Sequence, residues 1–367
     1  MLVSTLGYNF HFALLLWLKA IEFCLFNAMQ MSIFHDTIKM VINMKKTIQI
    51  IFTGGTISMQ RHAINKQANI IDNRDDLLQN IKNELSQIEI RLHQYSLKPS
   101  PSITPGDMLN LAKLSKSFLD DPTVDGVVIT HGTDTLEESA YFLDLYLRHE
   151  KPVVFTGSMR SYSDLGFDGL SNLLSSILVA ADSSSMNMGV LVCLNDEINT
   201  AREVTKSHTL ALDTFKSLEF GPIGIIEQDN VIYTRNTHLT IPNIQPKDIE
   251  PNVALIKVAS GMSSDLLNLL VDTNVKGIVI EALGRGNVPP QMIGGITRAI
   301  ENNIPVLLTS RCPIGRVLDN YGYEGGGYHL HQLGVIFTKN LNGQKARIQL
   351  MLALGLSHDI ETIKKYF

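Results

Sequence analysis

Short apolar runs rich in valine and isoleucine recur along this chain, and several stop at a glycine-bearing turn. Thr47–Phe52 runs into Gly54-Gly55, Asp125–Thr130 (DGVVIT) precedes the helically spaced Leu136–Arg148, Pro152–Thr156 (PVVFT) stops at Gly157, and Gly189–Leu194 (GVLVCL) follows a predicted helix over Leu170–Ala181. Strands that are apolar at consecutive positions must be covered on both faces, and strands alternating with helices build a mostly parallel sheet. Over Thr237–Pro251 the periodicity loosens, with Pro242, Pro246 and Pro251 interrupting it. A second series then begins: strands over Val253–Ala259, Gly277–Leu283 and Pro305–Ser310, a helix over Gln291–Asn302, and closing helices over Gln344–Ala353 and His358–Tyr366. The expected fold is α/β. A larger N-terminal domain (44–240) carries a mixed, mostly parallel sheet, a linker spans 241–252, and a smaller C-terminal α/β domain spans 253–367. Two domains suit a chain of 367 residues, since domains run about 100–200 residues each. Gly325-Gly326-Gly327 reads as a local flexible turn.

Charge and cysteine content exclude several functions. The formal net charge is −5, with no basic stripe, so a nucleic-acid partner has no electrostatic footprint. Cys24, Cys193 and Cys312 are far apart and form no CxxC. That excludes a disulfide framework or cysteine-rich zinc site and leaves three expected packing residues. No HExxH and no obvious acidic metal cluster occurs, so neither metal nor cofactor is expected. Low cysteine usage suits a cytoplasmic protein. The apolar stretch Phe10–Met29 approaches the roughly 20 residues a membrane span needs, but His11, Lys19 and Glu22 interrupt it. Met44 opens MKKTIQIIF, a start that runs straight into a strand. Residues 1–43 are therefore read as an extension outside the working domain, with a membrane anchor as the rival reading.

Open α/β sheets bind ligands beyond the carboxyl ends of their strands, and two unusual clusters fall at such ends. In Thr53-Gly54-Gly55-Thr56, two glycines let the backbone turn sharply and place the Thr56 hydroxyl at the sheet edge. Thr130-His131-Gly132-Thr133-Asp134-Thr135 lies between a strand and a helix. Thr135 and Glu138 have capping-box spacing. Thr133 and Asp134 sit near the positive end of that helix, where an oxyanion is stabilised, or where Asp134 holds a substrate ammonium. A threonine hydroxyl is a weak nucleophile and needs a base. The candidates are Lys206, in Val204-Thr205-Lys206-Ser207, and His131. His131 reads more readily as a packing residue, and Lys206 as a surface charge unless the fold lays it on Thr133.

Taken together, FTGGTIS at Phe52–Ser58 and GVVITHGTDTL at Gly126–Leu136 resemble the two signature segments of the bacterial-type asparaginase family. The likeness continues through Thr156-Gly157-Ser158-Met159-Arg160, Asp168-Gly169, Val204-Thr205-Lys206, Thr214-Phe215-Lys216-Ser217 and Gln344-Lys345-Ala346-Arg347, from about Lys46 to the C-terminus. The resemblance implies hydrolysis of L-asparagine, with weak use of L-glutamine. Thr56 is then the nucleophile, passing through an aspartyl ester with release of ammonia. Thr133, Asp134 and Lys206 match the second catalytic group, and Ser100 and Ser158, with Thr133 and Asp134, match substrate-binding positions. The family forms homodimers or homotetramers, and Glu324 is a candidate donor to a neighbouring protomer's site. Met59–Ile71 lacks the tyrosine of secreted members and Pro101 stands where they carry glutamine, which points to the cytoplasmic type. Two alternatives are the amidase component of a tRNA-dependent amidotransferase and an inactive amino-acid-binding module. The first normally carries an additional N-terminal domain, and the second has no need of an intact Thr56, Thr133, Asp134 and Lys206.

Overall fold

A computed structural model describes residues 45–61, 68–72, 74–81, 84–236 and 242–367. The extension 1–43, with its alternative readings, lies outside them, as do Cys24 and part of the loop after Thr56. Among the described residues no helix is long and apolar enough to cross a membrane.

The N-terminal half carries strands β1 (Lys46–Gly54), β2 (Met59–Arg61), β3 (Ala68–Ile70), β4 (Ile88–Lys98), β5 (Gly126–Thr130), β6 (Val153–Thr156), β7 (Val190–Leu194), β8 (Glu197–Thr200), β9 (Thr205–Lys206), β10 (Phe215–Lys216), β11 (Gly224–Glu227) and β12 (Asn230–Tyr233). Eight of them form one sheet in the order β12-β11-β8-β7-β6-β5-β1-β4. β1, β5, β6 and β7 run parallel, while β8, β11 and β12 are antiparallel additions at one edge. At the other edge, contacts of Gln49 with Arg91, Thr53 with Ser96 and Gly55 with Lys98 advance together, so β4 follows the direction of β1. The expected mixed, mostly parallel sheet is present. Sequence periodicity missed β4 because this edge strand is only partly buried along its length and has no continuous apolar run.

Burial alternates along the central strands as the pleat requires. Ile51, Val127, Ile129, Val153, Phe155 and Val192 face one layer, with helices Pro105–Leu119 and Leu136–Tyr146. Ile48, Ile50, Phe52, Val128, Val154 and Leu191 face the other, with helices Arg74–Ile81 and Gly169–Ala181. Each such side chain removed from water contributes roughly 1.5–3 kcal/mol before entropy is counted.

The C-terminal half is a four-stranded parallel sheet, β13 (Val253–Lys257), β14 (Gly277–Ala282), β15 (Val306–Ser310) and β16 (Ile336–Phe337), in sequential order. Helices Asp265–Asp272 and Ile293–Glu301 carry residues of the cluster on one face. Helix Gly343–Leu356 lies on the other, and its Ile348, Leu350, Met351 and Leu352 join the core of the N-terminal sheet. A single apolar cluster therefore runs through both halves. The helix expected over His358–Tyr366 shortens to Ile360–Lys364, capped by Asp359.

Three local expectations are corrected. Thr135 occupies the N-cap of helix Leu136–Tyr146 but makes no side-chain cap; its hydroxyl donates instead to the Ser100 carbonyl at 2.9 Å. A capping box does form at Thr104 and Asp107. Gly325-Gly326-Gly327 is packed rather than a flexible turn: a Cβ on Gly325 would come within 2.3 Å of the Val288 carbonyl, and one on Gly327 within 2.4 Å of that of Leu318. Cys193 is buried as expected, but Cys312 is exposed.

One buried acid makes stability depend on pH. Asp144, on helix Leu136–Tyr146, accepts the Val190 N–H at 2.9 Å, and its other oxygen has no hydrogen-bond partner. Burial pushes its pKa up to about 6, against the opposing pull of the Val190 N–H and of Arg202, Lys345 and Arg148. The folded state therefore holds this proton more tightly than the unfolded chain. The acid's contribution is greatest below the unfolded pKa and is lost as pH rises through about 6. Relative to the parent, Asp144→Asn should gain about 2 kcal/mol of stability between pH 4 and pH 7. Denaturant unfolding at the two pH values measures this, and a stability gap that stays constant with pH refutes it.

Candidate active site

The order β4-β1-β5 means that the chain leaves β1 to one side, forms β4, and returns to the other side as β5. Such a reversal opens a crevice at the carboxyl ends of the two central strands. Phe52 pairs with Thr130 and Thr130 with Thr156, so TGGT, HGTDT and TGSMR emerge side by side.

Glycines bring these loops into contact. Gly55, at φ 83°, has no room for a side chain, because a Cβ there would lie 2.4 Å from the Gly132 backbone. A Cβ on Gly132 would lie 2.7 Å from Ser100 Cβ, and one on Gly157 would lie 2.4 Å from the His131 carbonyl. Thr56 opens a 3-10 turn and is half-buried, anchored by the fully buried Ile57 behind it. The Asp168 carboxylate folds the TGSMR loop by accepting the N–H groups of Met159 and Arg160, both at 2.9 Å. Tyr162 N–H then ties that loop to the Met59 carbonyl at 2.9 Å.

Ser100 is buried, and its Oγ accepts the Asp134 N–H at 3.2 Å. Its own hydroxyl proton finds no acceptor among the described residues. Thr133 is buried while Asp134 is largely exposed. Lys206 is not a surface charge: its side chain is 14 % exposed, and Nζ donates to Thr133 Oγ1 at 2.9 Å and to Asp134 Oδ1 at 2.6 Å. The short antiparallel pair of β9 and β10 carries it there. Thr214, of the Thr214–Ser217 motif, holds the turn by accepting the His208 N–H at 2.7 Å and donating to the His208 carbonyl.

His131 is fully buried. Nδ1 lies 2.8 Å from the Gly132 carbonyl and Nε2 lies 2.9 Å from Ser139 Oγ. Desolvation lowers its pKa to about 4, so it is neutral at pH 7. This is the packing role. Ser158 is buried too, and its hydroxyl donates to the Arg160 carbonyl at 2.8 Å. It stands in the TGSMR loop beside the crevice with that proton already engaged. A cavity of ≈ 570 Å³ bordered by Asp144, His149 and Gly189 lies at the opposite, amino ends of the strands, away from these loops. Among the described residues no cluster of metal-ligating side chains occurs.

Sequence reasoning missed Glu137 as part of this arrangement. Its carboxylate is buried one turn after Asp134 and accepts from Thr205 Oγ1 at 3.1 Å. The adjacent signature offered a signal, but acidic residues in a helix's first turn are ordinarily solvated.

Comparison with known proteins identifies the family. The family model described as "Asparaginase, N-terminal" matches residues 47–239, and that of the "Glutaminase/Asparaginase C-terminal domain" matches residues 252–367. The chain belongs to the asparaginase/glutaminase family. Among its relatives, the "Probable L-asparaginase periplasmic" of Haemophilus influenzae is 39% identical over 250 residues, covering 67% of this chain and 70% of the relative. "L-asparaginase 2" of Escherichia coli is 33% identical over 329 residues, covering 87% and 92% respectively. The "Glutaminase-asparaginase" of Acinetobacter glutaminasificans is 31% identical over 335 residues, covering 88% and 99%. Membership of the asparaginase/glutaminase family therefore spans both sheets.

Proposed function

We propose that this protein is an L-asparaginase: it hydrolyses the side-chain amide of L-asparagine to L-aspartate and ammonia, with slower use of L-glutamine. The observation that carries the reading is the pair of hydrogen bonds from Lys206 Nζ to Thr133 and Asp134 in the crevice that the Thr56 loop borders. In this reading Thr56 Oγ attacks the amide carbon, the C–N bond breaks, and ammonia leaves with the proton the nucleophile gave up. Water then cleaves the aspartyl ester. Thr133 and Lys206 serve as hydroxyl and base or charge partner. Asp134 holds the substrate ammonium and Ser100 donates to the substrate carboxylate, with Ser158 shaping the wall beside Thr133. No metal or cofactor enters the scheme.

The active unit in this proposal is a homodimer or homotetramer in which Glu324 reaches a neighbouring site; the exposed Tyr321, Tyr323 and Tyr328 around it support that reading. The cytoplasmic type is proposed from the missing loop tyrosine and from Pro101. Purified protein given asparagine should release ammonia and aspartate in equal amounts, with a smaller kcat/KM for glutamine. One methylene in a pocket is worth about 10- to 200-fold. Absence of ammonia from asparagine at any pH between 6 and 9 removes the proposal, whereas dependence on a tRNA-bound substrate would point to transamidation.

A further inference from the structure

Behind Lys206 lies a buried polar cluster that the proposed chemistry does not use. Glu137 Oε1 accepts the Thr205 hydroxyl at 3.1 Å and lies 3.4 Å from the Lys206 N–H. Oε2 accepts Asn342 Nδ2 at 3.2 Å and lies 3.8 Å from Lys345 Nζ. Lys345 is 1 % exposed, and Nζ donates to the carbonyls of Arg202, at 2.9 Å, and Val204. Its aliphatic stem brings the ammonium near the Tyr141 ring, 5.8 Å from the centroid.

We propose that Glu137 and Lys345 are positioning residues that hold the segment Arg202–Lys206 so that the Lys206 ammonium stays on Thr133. The proposal deepens, and rests on, the asparaginase reading of Thr133, Asp134 and Lys206.

Four observations support it. A lysine placed where it is almost wholly dry is disfavoured unless its protons are used; here they reach two backbone carbonyls and a carboxylate. Desolvation lowers the Lys345 pKa to about 8, and the neighbouring Glu137 opposes that shift. Glu137 belongs to the helix that begins just after Thr133 and Asp134, so one carboxylate links the Thr205 hydroxyl and the Lys206 N–H of β9 to the element presenting its targets. Lys345 and Asn342 come from the C-terminal half, at the start of helix Gly343–Leu356. That helix is packed so closely that a Cβ on Gly343 would lie 2.6 Å from Glu281 Oε1. The C-terminal half thereby fixes a side chain of the N-terminal site without reaching the crevice.

The test uses the full chain, Lys345→Met and the milder, isosteric Thr205→Val. Lys345→Met should lower kcat for asparagine about 10- to 100-fold and Thr205→Val about 3- to 10-fold, with a smaller change in KM because Asp134 and Ser100 both remain in place on their own loops. In a Lys206→Met background, neither substitution should lower the residual rate by more than about twofold, since positioning has no effect once its object is gone. A purely structural role would instead give additive losses in that background, and additivity overturns the proposal, as does an unchanged kcat. Amide hydrogen exchange gives a second readout independent of turnover: exchange at Lys206 should accelerate at least about tenfold in Lys345→Met. An unaccelerated Lys206 amide refutes the brace even if the enzyme proves inactive. A parent protein that releases no ammonia removes the asparaginase reading and leaves the brace to be decided by exchange. Should Lys345→Met fail to fold, Thr205→Val carries each comparison.

Discussion

Thr56→Ala should lower kcat for asparagine by about 10²- to 10⁴-fold while leaving the fold intact. The hydroxyl is the atom that forms the ester in the proposed reaction, and a methyl group cannot replace it. Thr56 is only half-buried, and the 3-10 turn it opens is anchored by Ile57 and by the Ser58 N–H on the Gly55 carbonyl at 3.0 Å. Loss of the hydroxyl should therefore move the melting temperature by only a few degrees, as for a change away from the core. Rapid mixing with asparagine followed by mass spectrometry supplies the second half of the test. The parent should show a covalent aspartyl adduct that Thr56→Ala lacks. A Thr56→Ala enzyme that turns over at the parent rate would move the nucleophile elsewhere, with Thr133 the alternative hydroxyl at the same crevice.

Gly55→Ala should be as damaging by a different route. At φ 83° a side chain is strained whatever the surroundings, and here the added methyl would lie 2.4 Å from Gly132 N and Cα. Neither neighbour can swing aside, because both are backbone. Gly132 is itself hemmed in by Ser100, and the His131 N–H is bonded to the Thr156 carbonyl at 2.8 Å. The loops must separate, which destabilises the fold by about 2–4 kcal/mol and displaces Thr56 from Thr133. A shift of about 1 Å in such a site is enough to lose roughly 100-fold in rate. Chemical denaturation and ammonia release should fall together in Gly55→Ala, in contrast to Thr56→Ala, where only the second falls. A Gly55→Ala protein of parent stability and activity would mean that the two loops do not touch as described.

The contrast between these variants reflects what was legible in the residues. The apolar runs at Thr47–Phe52, Asp125–Thr130 and Gly189–Leu194 announced buried parallel strands because such strands are covered on both faces and need no polar side. β4 was invisible because an edge strand mixes polar and apolar residues, and β8, β11 and β12 are too short to carry a periodicity. Thr56, Thr133 and Asp134 were found because glycines and hydroxyls concentrated at predicted strand ends are unusual. Ser100 came only from the family resemblance: its environment gives it no local signature, and its bond to the Asp134 N–H joins residues far apart in the chain.

Local patterning and residue type were enough to read an α/β chain with two chemically distinctive turns, and a sequence with neither a metal-binding motif nor a basic stripe. Tertiary structure alone decided that Lys206 is a partner of Thr133 and not a solvated charge, that His131 is buried and neutral, and that Glu137 and Lys345 stand behind the site. Each of those outcomes depends on which side chains are excluded from water together. Residues 73 positions apart, as Thr133 and Lys206 are, share a desolvated hydrogen bond only after strand order and helix packing have placed them side by side.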